Sequence, residues 1–301
     1  MENFYKPISG RTPDYQYQNC LRAILEKGIL ADKTPQGIGA ITYFAALPPM
    51  VFDLSNGVPL ITERSCLNFW KKAVAEIIAF INGARTIDQI EGFGCEFWND
   101  YRDIQKYRDQ CAEMGLEPGD MGPGSYGAVF HDYERADGTT LNQFEVLINQ
   151  AMEYPNLRTL RVTNWRPDYT ARGPDRKVLV APCHGEVHCR ILQGKLYMAM
   201  TQRSADTPIG VPSNMIQYAA LMLMISQVTG YPPAIYSHYL IDAHIYENQV
   251  AKVHEFLERK PRPFPVLRLD PSVKNLFDFR VEHFTLEEYD PLPGMKIPYQ
   301  P

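Results

Sequence analysis

The sequence predicts a single α+β domain, and three observations predict it. Residues 186–192 and 195–201 alternate apolar and polar on either side of Gln193-Gly194, the pattern of two strands joined by a tight turn. Residues 215–228 form a helix that is apolar nearly all round, which places it at the buried centre of a domain. No internal repeat or low-complexity tract divides the 301 residues. At roughly 100–200 residues per domain, that length fits one large domain.

Taken in order, residues 1–16 are polar and rich in Tyr and Pro, an extended arm. Residues 20–27 have helical spacing, with Leu21, Ile24 and Leu25 on one face. Gly37 and Gly39 beside Pro35 mark a loop. Residues 41–53 are apolar and broken by Pro48-Pro49, a strand with a break or bulge. Residues 67–82 are a helix ended by Gly83. Its carboxylate, Glu76, either faces water at the helix edge or is buried for a purpose. Residues 93–101 are aromatic and contain glycine, which fits a ligand-facing loop or a satellite hydrophobic cluster. Residues 102–120 are charged and read as a surface insertion.

Residues 122–127 form a glycine-rich turn presenting Tyr126, without the Lys-Ser/Thr ending of a phosphate-binding loop and without a clear helix after it. Residues 142–152 are an amphipathic helix, and 158–165 alternate as a strand. Residues 166–177 make a basic loop with Arg166, Arg172, Arg176 and Lys177. Residues 178–181 are an apolar strand leading into Pro182-Cys183-His184. Ser213 or Asn214 caps the long apolar helix, which ends at Gly230. Residues 238–244 are a further strand. The tail from Tyr289 to Pro298 is loop-like yet apolar.

Composition limits the function classes. The chain is 45% hydrophobic and 22% charged, as expected of a soluble globular protein. A net charge of -5 and a pI near 5.8 argue against general nucleic-acid binding, which needs a basic face. They leave room for a small basic pocket. The six cysteines show no C-x-x-C or paired ligand spacing, so they read as free thiols in a reducing compartment, with no metal site expected. The N-terminus has no apolar signal-type core, and the strongest apolar run, 218–225, is far short of the ~20 residues of a spanning helix. A cytoplasmic protein without membrane contact is the expectation.

Candidate chemistry concentrates between residues 180 and 246. If the strand continues through Cys183 and His184, their side chains point to opposite faces and cannot form a thiolate–imidazolium pair. Arg203 is then the candidate cation beside the thiol. A cysteine after proline is otherwise often a small buried hydrophobe. Arg203-Ser204 offers a charged fork and a hydroxyl, suited to phosphate. Asn214 offers a donor beside an acceptor, which matches the uracil edge, or simply caps its helix. His244 and Tyr246, two apart on a strand, share a face and can clasp one hydroxyl.

The order and spacing of these groups resemble the thymidylate synthase superfamily. The resemblance rests on Pro182-Cys183-His184, Gln202-Arg203-Ser204-x-Asp206, Gly210-x-Pro212-x-Asn214 and Asp242-x-His244-x-Tyr246-x-Asn248. It extends to Gly37-x-Gly39, Phe52-Asp53-Leu54, Glu76, Trp98, Tyr126-Gly127, the 158–165 segment and the tail, covering residues 17–300. It implies a large mixed β-sheet packed with helices, and a homodimer formed through that sheet. It implies that Cys183 attacks C6 of a pyrimidine nucleoside 5′-monophosphate, whose C5 takes a one-carbon unit from 5,10-methylenetetrahydrofolate. Gln202, Arg203 and Ser204 then belong to the substrate site, with Arg203 and Ser204 on the phosphate and Arg158 lent by the other subunit. Asn214 reads the base, and His244 and Tyr246 the sugar. Glu76 relays protons, Tyr126 assists loss of the C5 proton, and His184 belongs to the catalytic set. Trp98, Tyr101, Asp206, Gly210, Ser213 and the tail enclose the folate.

The chain also departs from the family pattern. Pro35-Gln36 stands where an Arg-Thr is usual, and Arg158-Thr159 where an Arg-Arg is usual, so two phosphate arginines are missing. Arg161 or the basic 166–177 loop is left to replace them. Tyr101, Ser213 and Ala79 stand where larger aromatic residues are usual, which erodes the folate wall and admits water. These departures favour a hydroxymethylase acting on a uracil nucleotide over a thymidylate synthase making dTMP. The alternatives are a CMP or dCMP hydroxymethylase and a catalytically silent nucleotide-binding regulator. The geometry at Cys183-His184 disfavours a cysteine hydrolase.

Overall fold

The computed structural model describes residues 4–300. In chain order, α1 (Gln16–Lys27) leads into β1 (Ile29–Ala31), β2 (Ala40–Phe44) and β3 (Met50–Asp53). Four helices follow: α2 (Trp70–Ile81), α3 (Ile87–Gly92), α4 (Asp100–Asp103) and α5 (Gln105–Glu113). Then come α6 (Tyr126–His131), the short pair β4 (Tyr133–Glu134) and β5 (Thr140–Leu141), α7 (Gln143–Glu153), β6 (Arg161–Val162) and α8 (Pro167–Thr170). The second half is β7 (Glu186–Leu192), β8 (Lys195–Asp206), α9 (Gly210–Thr229), β9 (Pro233–Tyr246), α10 (Val250–Leu257), β10 (Val266–Leu269) and β11 (Phe284–Glu287).

The architecture is α+β with one large mixed sheet of order β1-β2-β9-β8-β7-β6. β7 and β8 form the expected hairpin, and both Gln193 and Gly194 take positive φ, as a two-residue turn requires. β8 and β9 are parallel, so the chain must cross over between them, and α9 is the crossover. β9 is long enough to pair twice along one edge, with β3 through Ile235–His238 and with β2 through Asp242–Tyr246. Pro48-Pro49, which have no N–H to donate, separate β2 from β3, so the expected interrupted strand is two strands.

Two helices form the core against this sheet. Every residue of α2 from Ala73 to Ile81 is buried, and α9 buries Met215 through Ser226 without a break. Each fully buried Leu, Ile or Met contributes about 1.5–3 kcal/mol over an exposed one, which makes α9 the main apolar mass of the domain. Gly230 ends α9 in the left-handed region at φ 78, as the sequence predicts. Among the described residues no helix is long and apolar enough to cross a membrane.

Several expectations are corrected. The described part of the 1–16 arm is docked rather than free: Tyr5 Oη donates to the Leu267 carbonyl and Arg11 to the Phe264 carbonyl. The 102–120 insertion is largely helical and partly buried, anchored by Tyr107 and Cys111 and by an Arg85–Asp120 ion pair at 2.6 Å. The turn at 122–127 does lead into a helix, α6. The 158–165 strand pairs only at Arg161 and Val162, although Leu160, Val162 and Asn164 are buried as its alternation requires. Residues 178–181 form no strand, because their carbonyls are claimed by side chains: Arg176 binds those of Val178 and Leu179, and Arg203 that of Ala181. α9 begins at Gly210, so neither Ser213 nor Asn214 caps it. The free N–H of Ile209 is taken by Asp206 instead.

Candidate active site

A cavity of about 540 Å³ opens where the C-terminal ends of β8 and β9 meet α2, α6 and the start of α9. It gathers Cys183, His184, Glu76, Tyr126, Gln202, Ser204, Asn214, His244 and Tyr246, and, on its other wall, Trp98, Tyr101, Asp206, Gly210 and Ser213. Arg203 lines a second, adjoining concavity of about 1260 Å³ that shares Cys183, Ser204, His244 and Tyr246. Arg158 lines neither and is exposed.

Cys183 sits on the irregular turn before β7. The carbonyls of Ala181 and Pro182 hold the Arg203 guanidinium at 3.3 and 3.0 Å, and its Nη2 lies 3.6 Å from the Cys183 Sγ. The guanidinium also stacks over Trp165 at 5.2 Å. The cysteine's own N–H donates to the Tyr126 hydroxyl at 2.6 Å. The expected cation is therefore beside the thiol, but burial still raises the thiol pKa overall. Arg203 offsets that rise in part, followed by Tyr126 and Ser204, while Asp242 adds to it. His184 has no hydrogen bond to the thiol among the described contacts. Its Nδ1 pairs with Tyr218 Oη at 2.7 Å, and burial lowers its pKa to about 3, which keeps it neutral.

Glu76 resolves to the buried alternative. Its Oε1 accepts from Trp98 Nε1 at 2.7 Å and its Oε2 from Gln217 Nε2 at 2.8 Å. Burial raises its pKa to about 7 and outweighs both hydrogen bonds, the setting of a group that exchanges protons at neutral pH. Tyr126 stacks on Phe80 at 4.6 Å, so the hydroxyl that meets Cys183 is rigidly carried by α6. Asn214, the fifth residue of α9, accepts from Gln202 Nε2 at 3.0 Å and donates to Gln217 Oε1 at 2.9 Å. His244 and Tyr246 face each other at 5.2 Å.

On the far wall, burial raises the Asp206 pKa to about 6 despite contacts from Gln249 at 3.2 Å. The same Gln249 amide binds the Pro298 carbonyl at 3.0 Å and so ties the tail to the site. Tyr299 of the tail shares a hydrogen bond with Tyr101, which itself packs on Trp98 at 5.3 Å. Trp98, Tyr101 and Tyr299 thus make an aromatic surface in the same cavity as Asp206, which fits a flat folate ring. Ala79 is fully buried in α2 and does not line the cavity, so its small size does not open the folate wall as the sequence reading expected. Among the described residues no cluster of three or more His, Cys, Asp or Glu is placed to hold a metal ion.

Of the candidates to replace the missing phosphate arginines, Arg161 lines neither concavity and pairs with Glu186 at 3.5 Å. Arg166 is engaged by Asp168 at 2.5 Å. Arg172 and Arg176 line the second concavity with Arg203 and Lys33. The sequence reading missed Gln217, Gln249, Tyr218 and Tyr299. Gln217 left a signal: it is the one amide inside the otherwise apolar run from Met215 to Ile225.

The sequence matches the family model described as thymidylate synthase over residues 15–300. That match carries folate-dependent transfer of a one-carbon unit to C5 of a pyrimidine nucleotide, with methylenetetrahydrofolate as co-substrate. A cavity lined by a thiol, a buried acid and an amide, with an arginine against the thiol, agrees with it, and the chain belongs to the thymidylate synthase family.

Proposed function

We propose that this chain is a hydroxymethylase that acts on C5 of a uracil nucleoside 5′-monophosphate, in preference to a thymidylate synthase. The observation that carries the shared chemistry is the contact of Arg203 Nη2 with Cys183 Sγ at 3.6 Å, in a site that also contains Glu76 and Asn214. Cys183 adds to C6, and electron density moves to C5. Asn214 holds the base by its carbonyl and N–H edge. Glu76 carries protons to and from the ring, and the Tyr126 hydroxyl stands where the C5 proton is lost. Bound methylenetetrahydrofolate supplies the one-carbon unit and, in the synthase outcome, a hydride as well. In the hydroxymethylase outcome water adds to the nucleotide's exocyclic methylene, and Cys183 then leaves C6. The support for that branch is Tyr101 and Ser213, which line the cavity where larger aromatic residues are usual.

The phosphate belongs in this reading to Arg203 and Ser204, helped by Arg172 and Arg176 from the 166–177 loop. Arg158 reaches the site from a partner subunit docked on the sheet. Each charge-assisted contact is worth about 1.5–3 kcal/mol, so two loop arginines offset the two that are missing.

Release of tritium from a C5-labelled uridine nucleotide, dependent on Cys183, tests base activation. With folate added, product formation without an equivalent rise in dihydrofolate absorbance supports hydroxymethylation. Stoichiometric dihydrofolate assigns the chain to the synthase branch instead.

A further inference from the structure

The end of the chain is fixed by its backbone in two places. Upstream, Tyr289 Oη donates to the Ile61 carbonyl at 2.8 Å, the Leu292 N–H to that of Thr62 at 2.7 Å, and Arg259 Nη1 to that of Pro293 at 2.7 Å. Residues 294–297 make no backbone hydrogen bond among the described contacts. They are held by the packing of Met295 and the burial of Ile297, contacts without direction. Pro298 is then fixed again, by Gln249 Nε2 on its carbonyl at 3.0 Å, and Tyr299 and Gln300 line the cavity that holds Cys183 and Asp206.

Gln249 is fully buried in the single 3₁₀ turn that follows β9, Glu247–Gln249. The direction of its amide is set. The Tyr246 N–H, a backbone donor, meets Gln249 Oε1 at 3.0 Å, so the NH2 faces the other way. There it meets two acceptors. One hydrogen serves the Pro298 carbonyl, and the other is shared by Asp206 Oδ1 and Oδ2, each 3.2 Å from the nitrogen. A turned amide would set NH2 against the Tyr246 N–H and its carbonyl against both acceptors. The only other donor to the Asp206 carboxylate among the described contacts is the Ile209 N–H at 3.3 Å. An ionised carboxylate has about four acceptor sites, so Asp206 keeps capacity for ligand N–H groups.

We propose that Gln249 is a positioning residue that couples the folate at Asp206 to the position of the chain's last residues. This rests on the reading of Asp206 and the tail as groups that enclose the folate; the geometry adds the link between them. Without a ligand, one hydrogen divided between two oxygens lets the carboxylate rock about its Cβ–Cγ bond. A ligand N–H on either oxygen fixes the carboxylate plane. The Gln249 hydrogen then settles on one oxygen, and the amide, pinned at Tyr246 and Asp206, presents its second hydrogen to Pro298 in one direction. The tail, with no backbone bond of its own across 294–297, takes its register over the cavity from that hydrogen. Tyr299 is also held by Tyr101, but neither has a hydrogen bond to Asp206 among the described contacts. Gln249 is the side chain bonded to both ends. Such coupling is reciprocal: the folate favours the held tail by the same factor by which the held tail favours the folate.

The test is hydrogen–deuterium exchange of the backbone N–H groups between residues 294 and 300, at one fixed pH. The full chain is saturated with UMP or dUMP and compared with and without tetrahydrofolate, which carries no one-carbon unit to transfer. In the wild-type protein tetrahydrofolate is expected to slow tail exchange by about tenfold. Gln249→Glu keeps the size of the side chain and one oxygen for the Tyr246 N–H. Ionised, it can donate to neither Asp206 nor Pro298, and protonated it can donate to one only, so the slowing is expected to vanish. A merely structural role predicts faster exchange throughout, with the slowing by tetrahydrofolate intact. Tetrahydrofolate affinity supplies the reciprocal reading. Gln249→Glu and a chain ending at Ile297 are each expected to weaken it by about tenfold, and the two changes together by clearly less than the product of the two factors. Factors that multiply, no slowing in the wild type, or slowing that survives in Gln249→Glu overturns the proposal. If Gln249→Glu does not fold, Gln249→Met, which has no donor, replaces it, and the wild-type exchange still decides. If tetrahydrofolate does not bind the nucleotide-loaded wild-type protein, the folate reading falls and the inference with it. If it binds without these effects, only the inference falls.

Discussion

Arg203 holds two carbonyls of the turn that carries Cys183 and reaches the thiol with the same guanidinium, so it shapes the loop and supplies its charge. Because burial raises the thiol pKa and Arg203 is the largest effect against it, Arg203→Gln is expected to push the pH midpoint for alkylation of Cys183 higher still. Cys183 is half-buried while the other five cysteines are buried, so a mild alkylating reagent followed by peptide mapping reads this thiol selectively. An unchanged midpoint removes Arg203 from thiol activation. At Glu76 the sign of the pH effect follows from its burial. Its folded pKa, about 7, lies above the ordinary 4.5, so the folded state binds the extra proton and loses stability as pH rises between these values. Glu76→Gln removes this, and its stability relative to wild type is expected to improve by roughly 3 kcal/mol from pH 4.5 to 7 and to stay level above. Denaturant melts of both proteins across that range check it, and a constant difference refutes it. The residue scale is also where the sequence was most legible. Cys183, Arg203, Asn214, His244 and Tyr246 could be named because each brings a chemistry that few other residue types offer. Gln217 and Gln249 could not, because an amide's role depends on which neighbours its two ends meet, and only the fold decides that.

At the scale of elements, the hairpin β7–β8 and the apolar helix α9 are written in local patterns that need nothing else: period-two alternation around Gln193-Gly194, and an apolar stretch closed by Gly230. The segments that local pattern misread are those whose backbone groups are satisfied from elsewhere. Residues 178–181 have the composition of a strand, but the side chains of Arg176 and Arg203 occupy the carbonyls a neighbouring strand would use. Ser213 and Asn214 look like caps, yet Asp206 from the end of β8 secures the helix start, and Asn214 lies inside α9 and lines the cavity. α9 also supports the site mechanically, because it carries Asn214 and Gln217 on a helix packed on all sides. Leu221, fully buried at its middle, is expected to cost about 2–5 kcal/mol when replaced by alanine, read as a lower denaturant midpoint with an unchanged slope. A loss under about 1 kcal/mol means that α9 is not the tightly packed centre described here.

At the scale of the whole molecule, the sheet leaves apolar surface uncovered in the single chain. Ile29 is 78% exposed and Phe44 66%, while Val51 and Tyr239 are both more than two-fifths exposed. These residues lie on β1, β2, β3 and β9, so the uncovered apolar surface is concentrated on these strands of one sheet. Arg158 is exposed and lines neither concavity of its own subunit. Both facts are met at once by a two-fold dimer in which each subunit covers the other's patch and lends its Arg158. Mixing two defective proteins tests this. Cys183→Ala has no nucleophile but keeps its arginine to lend, whereas Arg158→Ala keeps its nucleophile but lends nothing. Each homodimer is expected to be inactive or severely weakened. After unfolding and refolding together, mixed dimers contain one site with Cys183 from one subunit and Arg158 from the other, and release of tritium from C5-labelled nucleotide should return. A merely additive mixture, with activity no greater than the sum of the two proteins alone, shows that Arg158 does not act across an interface. Tyr239→Glu, which places a charge in the patch, is expected to shift the protein toward monomer in sedimentation and to abolish the recovery.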